Sequence, residues 1–285
     1  MATGHTVKAF DEDLDQLRAN IAEMGGLAEA AIRESIQALM RRNTEAAAEI
    51  IARDERIDEL EAEVERSVVN VIALRAPMAD DLRDIIAALK IAGAVERIGD
   101  YARNIAKRAG RLEGSKIEPL SLLPEMGRIV GEMVKNVLDA FAARDAQKAL
   151  EVCERDRAVD DFYNSIFRAL LTFMMEDPQN ITASAHLLFV AKNLERIGDH
   201  ATNIAEMVYF AATGERMNER PRAVSMMIGT FAASGRRRSR RHTSIPLIPS
   251  TIQSRRTRSG MRSRTIISAS SPSGVVSTSN SSRSR

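Results

Sequence analysis

The chain has no tryptophan, one cysteine, four histidines and only 4% aromatic residues. A single cysteine excludes an internal disulfide and a thiolate zinc cage, and Cys153 reads as a small buried hydrophobe of a reducing compartment. No stretch approaches the roughly 20 consecutive apolar residues that a membrane span requires. Acidic residues arrive at Asp11, Asp13 and Asp15 with no apolar segment before them, so no signal peptide is expected. The expectation is a cytoplasmic protein that meets a membrane only through partners. Glycine is sparse in the first two thirds. What remains, Ala, Leu, Ile, Glu and Arg in a 285-residue chain that is 44% apolar, is the composition of helical bundles, with length for two average domains.

The net charge of +2 joins two unlike pieces. From Val224 onward there are 12 Arg and no Lys, Asp or Glu, which leaves 29 basic against 39 acidic side chains before it. The Ser-rich, Arg-rich stretch 224–285 sustains no helical or strand period. It buries too little apolar surface to offset chain entropy and is expected to be disordered.

Apolar positions at Leu14, Leu17, Ile21, Met24, Ala28, Ile32 and Leu39 have helical spacing and predict a first helix from about Phe10 to Arg42. Asn43 or Thr44 can cap a second helix, carried by Ile50, Ile57, Leu60, Val64, Val68 and Val71. Pro77 closes it. A third helix, capped by Asp80 or a neighbour, carries Leu82, Ile85, Leu89, Ile98 and Ile105 and ends near Gly110. After a linker at Gly114–Pro119 the pattern begins again. A shift of 102 lays Gly25 on Gly127, Leu39 on Phe141 and Asp54/Asp58 on Asp156/Asp160, and by the last helix of each half the shift is 99. This is an internal duplication. The fold expected is all-α, two tandem pseudo-symmetric three-helix bundles over residues 8–113 and 119–220, followed by the basic tail.

One phrase is written twice, Glu96-Arg97-Ile98-Gly99-Asp100 and Glu195-Arg196-Ile197-Gly198-Asp199, continued to Asn104 and Asn203. At about 100° per residue the Glu, Asp and Asn of each fall on one stripe, opposite the core stripe of its helix. Like charges one turn apart cost roughly 0.2–0.5 kcal/mol, so the stripe asks for a cation or a basic partner. On the second helix Asp54, Asp58, Glu61 and Glu65 share a face, and in the second half Asp156 and Asp160 remain, with Tyr163 and Phe167 continuing the line. Carboxylate and amide oxygens suit hard cations such as Mg²⁺, Mn²⁺ or iron. The alternative is a solvated polar face. Glycine inside a helix, about 1 kcal/mol worse than alanine, suggests that something approaches the backbone at Gly99 and Gly198. His186 falls on the core stripe, and His200 stands beside the second motif rather than in it. Arg97 and Arg196 have the chemistry to bind phosphate oxygens or to pair with the adjacent Glu.

The doubled E-R-I-G-D-x-x-x-N phrase, the D-x-x-x-D upstream of each copy and the six-helix duplication resemble the PhoU family of bacterial phosphate-transport accessory and regulatory proteins, over roughly Phe10 to Arg220. The resemblance implies two three-helix bundles, often in a homodimer, that hold down the phosphate-starvation response. It implies contact with the phosphate ABC transporter, notably its ATPase subunit, and with a sensor histidine kinase. It also implies metal ions on Asp54, Asp58, Glu96 and Asp100 in one half and on Asp156, Asp160, Glu195 and Asp199 in the other. The stretch after Ala223 resembles no part of that family, and its abrupt loss of Asp, Glu and Lys fits a frameshift.

A non-enzymatic adaptor is the reading favoured by the residues, because no nucleophile, base and oxyanion set can be assembled from the motifs. A ferritin-like oxidase needs Glu-x-x-His pairs, and neither His186 nor His200 has a Glu three residues before it. A metal-dependent phosphohydrolase using carboxylate-bound cations is the alternative. No motif in the basic tail supports specific nucleic-acid recognition, and phosphate contact there predicts only salt-sensitive binding.

Overall fold

The structure, a computed structural model, describes residues 3–112 and 121–217. The expected linker at Gly114–Pro119 and the basic tail at 224–285 lie outside the described residues.

Six long helices make up the body: α1 (Thr3–Arg41), α2 (Thr44–Arg75), α3 (Ala79–Ala106), α4 (Leu122–Ala143), α5 (Ala146–Glu176) and α6 (Ile181–Thr213). Single 3₁₀ turns at Ala109–Arg111 and Pro178–Asn180 follow α3 and precede α6. No strand occurs among the described residues. Helices α1, α2 and α3 pack on one another as one bundle and α4, α5 and α6 as the other.

The boundaries follow local chemistry. Asn43 is extended and its side-chain oxygen accepts from the amides of Glu45 and Ala46, both at 3.0 Å, which satisfies two donors that a helix start leaves bare. Asp145 does the same for α5 through the amide of Lys148. At the other end of α2, Ala76 turns left-handed before Pro77. Asp80 is not the cap of α3. Met78 holds that position without a side-chain bond, and Asp80 and Asp81 sit in the first turn, where negative charge favours the helix dipole. The start of α1 lies seven residues before the expected Phe10, because no proline interrupts the stretch from Thr3.

The two bundles share one continuous core, from Leu17, Ile21 and Met24 through Ile91, Ile98 and Met133 to Leu187, Leu194 and Ile204. The halves meet along α1 against α4 and α3 against α6. A β-carbon at Gly25 would run into Leu138 Cδ1, and one at Gly127 would lie 3.0 Å from Ile36 Cγ1. A shift of 102 turns the first contact into the second. The same glycine-to-aliphatic fit is therefore used twice, about a pseudo-two-fold axis. Helices α3 and α6 run antiparallel, with Arg83 at the start of α3 beside Gly214 and Arg108 beyond its end beside His186. Tyr101 and His200, equivalent under the shift of 99, face each other with ring centroids 5.6 Å apart.

Candidate functional site

The duplicated motif lies in the groove where α2 closes on α3, and again where α5 closes on α6. Helix α3 is flanked by α1, α2 and α6, so little of its circumference is left open. Gly99 sits at the floor of the first groove. A β-carbon there would lie 2.9 Å from Ile57 Cδ1 and 3.0 Å from Asp54 Oδ1. Gly198 repeats this against Asp156 Oδ1 at 3.3 Å and Val159 Cγ1 at 3.4 Å. What approaches the backbone at both glycines is thus the neighbouring helix, which brings its aspartate with it.

In the first seam Asp54 is buried at 5% exposure, and Arg103 Nη1 stands 2.6 Å from its Oδ2 without an aligned hydrogen bond. Arg103 also pairs with Asp100. Arg97 reaches Glu96 at 3.4 Å and Asp100 at 3.6 Å. Glu96 and Asp100 are 16% and 23% exposed at the side chain, so the stripe is half-sunk in the groove. Its carboxylates repel one another. Burial, then Asp100 and the more distant Glu61 and Asp58, push the Glu96 carboxyl up to about 7 against the pull of Arg97. Burial raises Asp54, with Arg103 opposing and Asp58 and Asp100 adding, and burial with Glu65 and Asp58 raises Glu61. Six carboxylates on two helices therefore share one field. Asn104 lies half-buried one turn beyond Asp100.

The second seam is less acidic. Asp160 is raised by burial and then by Glu195 and Asp161, with Lys192 opposing. Lys192 Nζ donates to Glu195 Oε1 at 2.6 Å and lies 5.2 Å from the centre of the Tyr163 ring. Asp156 and Asp199 have equivalent places to Asp54 and Asp100, and Asn203 is exposed.

The structure thus brings the sequence-selected acids to two grooves. Among the described residues no three His, Cys, Asp or Glu side chains converge on one point close enough to hold a metal ion. Basic side chains occupy the slots instead. The donor chemistry nonetheless fits a hard cation. The ligands are all oxygens and negative charge is in excess, while the buried oxygens Asp54 Oδ2 and Glu195 Oε2 lack an aligned hydrogen bond and are held by ion pairs with Arg103 and Lys192.

Arg103 and Lys192 were not singled out in the sequence, although each stands three residues from an acid of the motif and could have been found by that spacing. The contacts of Asp84 with Arg144 at 3.0 Å, between the bundles, and with Arg18 at 3.8 Å, between α3 and α1, had no local signal. His186 is half-buried and its Nδ1 meets Arg108 Nη1 at 3.0 Å. His200 is half-buried and lowered by burial and by the nearby charges of Arg97 and Arg196.

The PhoU domain model matches residues 21–109 and again residues 123–208. The phosphate-specific transport system accessory protein PhoU homolog of Zymomonas mobilis subsp. mobilis is 60% identical over 225 residues, 79% of this chain and 95% of its own length. The homolog of the same name from Caulobacter vibrioides is 51% identical, covering 77% of this chain and 97% of its own. Among solved structures, PhoU from Pseudomonas aeruginosa superposes with a TM-score of 0.70 at 38% identity, over 72% of this chain and all of the other. The phosphate transport system regulatory protein PhoU from Streptococcus pneumoniae gives 0.69 at 27% identity, over 74% of this chain and all of the other.

Proposed function

Because this chain belongs to the PhoU family, we propose that it is the accessory regulator of a phosphate-specific transport system, one that restrains the phosphate-starvation response and modulates phosphate uptake. The carrying observation is the 60% identity that runs through both repeats to a protein bearing that accessory name. In this reading the chain is an adaptor and not an enzyme. It works in the cytoplasm as a homodimer, and its long helices present surface to the transporter's ATPase subunit and to a sensor histidine kinase. No described helix is long and apolar enough to cross a membrane.

Hard cations belong to the same proposal. Asp54, Asp58, Glu96, Asp100 and Asn104 would hold one set, and Asp156, Asp160, Glu195, Asp199 and Asn203 the other. Bound cations would supply positive charge that cross-links α2 to α3 and α5 to α6. The chain's own part is to hold the carboxylates half-desolvated, so that they favour a cation over solvation, while Arg103 and Lys192 offset part of their charge.

The test is complementation with the full chain in a host lacking its own copy, reading alkaline phosphatase under high phosphate. Restored repression is expected. Continued high activity from folded protein would remove the regulatory reading, and turnover of phosphate esters that depends on added metal would replace it with a phosphohydrolase.

A further inference from the structure

Among the described residues, every large apolar side chain that stands exposed lies within about three helical turns of the α2–α3 or the α5–α6 connection. Val69, Ile72, Leu74, Met78 and Leu82 surround the first. Leu171, Phe173, Met175, Ile181 and Phe189 surround the second. Leu74, Met78 and Met175 are 76%, 79% and 80% exposed, so the packing of the body does not use them. The feature is also duplicated. The shift of 102 lays Val69 on Leu171, and the shift of 99 lays Leu82 on Ile181. A stray apolar side chain at a surface needs no explanation, but exposure confined to equivalent places in both repeats marks a contact surface. Because α3 and α6 run antiparallel, the first connection lies beside the end of α6 and the second beside the end of α3. The 28 residues of α3 set these two tips roughly 40 Å apart, at opposite ends of the body.

Charge decides what each tip fits. From Leu74 to Leu82 the chain carries Asp80 and Asp81 against Arg75, and Asp13 already holds Arg75 at 3.1 Å. Arg83 pairs with Asp80. From Leu171 to Ile181 the chain carries Glu176 and Asp177 and no base. Arg108, across from this tip, is turned onto the Phe189 ring, 4.8 Å from its centre, and onto His186 Nδ1. Each tip is thus apolar with an acidic rim. We propose that the two tips are equivalent docking sites for a protein partner that presents an amphipathic helix, apolar on one face and edged with Lys or Arg. Such a helix covers the exposed apolar side chains while its cations meet the acids. A second copy of this chain would bring the same acidic rim and meet it with like charge. Tips at opposite ends would also join copies into open chains rather than a closed dimer. A lipid surface reaches only one tip at a time, and the same acids repel its anionic headgroups. The proposal deepens the adaptor reading and rests on it, but binding is read on the purified chain, so a failed complementation and a failed site are told apart.

The test is fluorescence anisotropy of the full chain with a labelled amphipathic helix of Leu and Lys, about five turns long, and with its Leu/Glu counterpart, at physiological salt. Saturable binding of the Leu/Lys helix at two per chain is expected, with the Leu/Glu helix bound about tenfold more weakly or worse. Leu74→Ser/Met78→Ser and Met175→Ser/Phe189→Ser should each remove one site, and the four changes together should remove binding. Glu49→Gln/Glu55→Gln, on the exposed side of α2, is the control for attraction by charge alone and should leave the stoichiometry unchanged. All four replaced apolar side chains are exposed, so the variants should melt with the parent and keep the outcome readable. Binding that survives the four changes, that the control weakens equally, or that the Leu/Glu helix matches overturns the sites. Self-association of the parent that the tip variants abolish would assign the tips to a second copy, and adsorption to phosphatidylcholine vesicles that they abolish would assign them to a membrane; either result overturns the proposal.

Discussion

Replacing Glu96 by Gln should raise stability, and should do so more at high pH than at low. The Glu96 carboxyl is displaced from its ordinary 4.5 to about 7. In the unfolded chain it ionises near 4.5, while in the fold it keeps its proton to about 7, so the native state binds more protons across that window. Stability is therefore lost as pH rises through the window, and the full penalty is present above it. A displacement of that size has a ceiling of about 3 kcal/mol, and access of water to the groove reduces the expected value to about 1–2 kcal/mol. Glutamine keeps the shape and removes the charge, and with it the repulsion between this group and Asp100, Glu61 and Asp58. Urea unfolding of parent and variant in the presence of chelator, at about pH 5 and about pH 8, measures the effect. The variant should gain about 1–2 kcal/mol on the parent between the two conditions. A difference that does not change with pH, or one that turns against the variant as pH rises, would refute the account of the groove as an uncompensated acid cluster.

Three further outcomes follow from the same structure. Asn43→Ala removes the oxygen that accepts from Glu45 and Ala46 and should cost about 1 kcal/mol in thermal or urea unfolding. A β-carbon at Gly131 meets nothing within 4 Å, so Gly131→Ala should stabilise by about 0.5–1 kcal/mol, whereas Gly25→Val drives into Leu138 and should destabilise by about 1–3 kcal/mol. The double variant Asp100→Ala/Asp199→Ala should lose the rise in melting temperature that added Mn²⁺ or Mg²⁺ gives the parent, measured by calorimetry with bound metal counted in parallel, and equal metal content in both proteins would remove those residues from the cation sites.

Much of the architecture was legible because it rests on local signals. Helical spacing of Leu17, Ile21, Met24 and their successors gave the elements, Asn43 and Pro77 gave two of the boundaries, and the repeated E-R-I-G-D phrase revealed the duplication. The acidic stripes were legible for the same reason. Their surroundings were not. The proximity of Asp54 to Arg103 is set by how α2 lies on α3, that of Asp84 to Arg18 by how α3 lies on α1, and Asp84 meets Arg144 only because the two bundles pack together. Gly99 shows the boundary well. Its sequence context announces a close approach, but the approaching atoms, Ile57 Cδ1 and Asp54 Oδ1, belong to a helix some forty residues earlier in the chain.

The halves repeat a fold without repeating its electrostatics. Under the register that matches Asp54 to Asp156, Glu61 and Glu65 correspond to Tyr163 and Phe167, whose rings lie 6.5 Å apart and extend the second seam with apolar surface. Arg103 corresponds to Thr202, which turns inward and donates to the carbonyl of Asp199. The positive charge of the second seam enters instead through Lys192, at the place of Gly93 in the first. Six carboxylates against two arginines leave the first seam with the larger unmet demand, which is why burial and repulsion carry Glu96 to about 7 while Glu195 has an ammonium 2.6 Å away. Removing Lys192 would therefore make the second seam resemble the first, and removing Arg103 would deepen an imbalance that already exists. Of the two grooves, the one between α2 and α3 therefore carries the larger uncompensated negative charge.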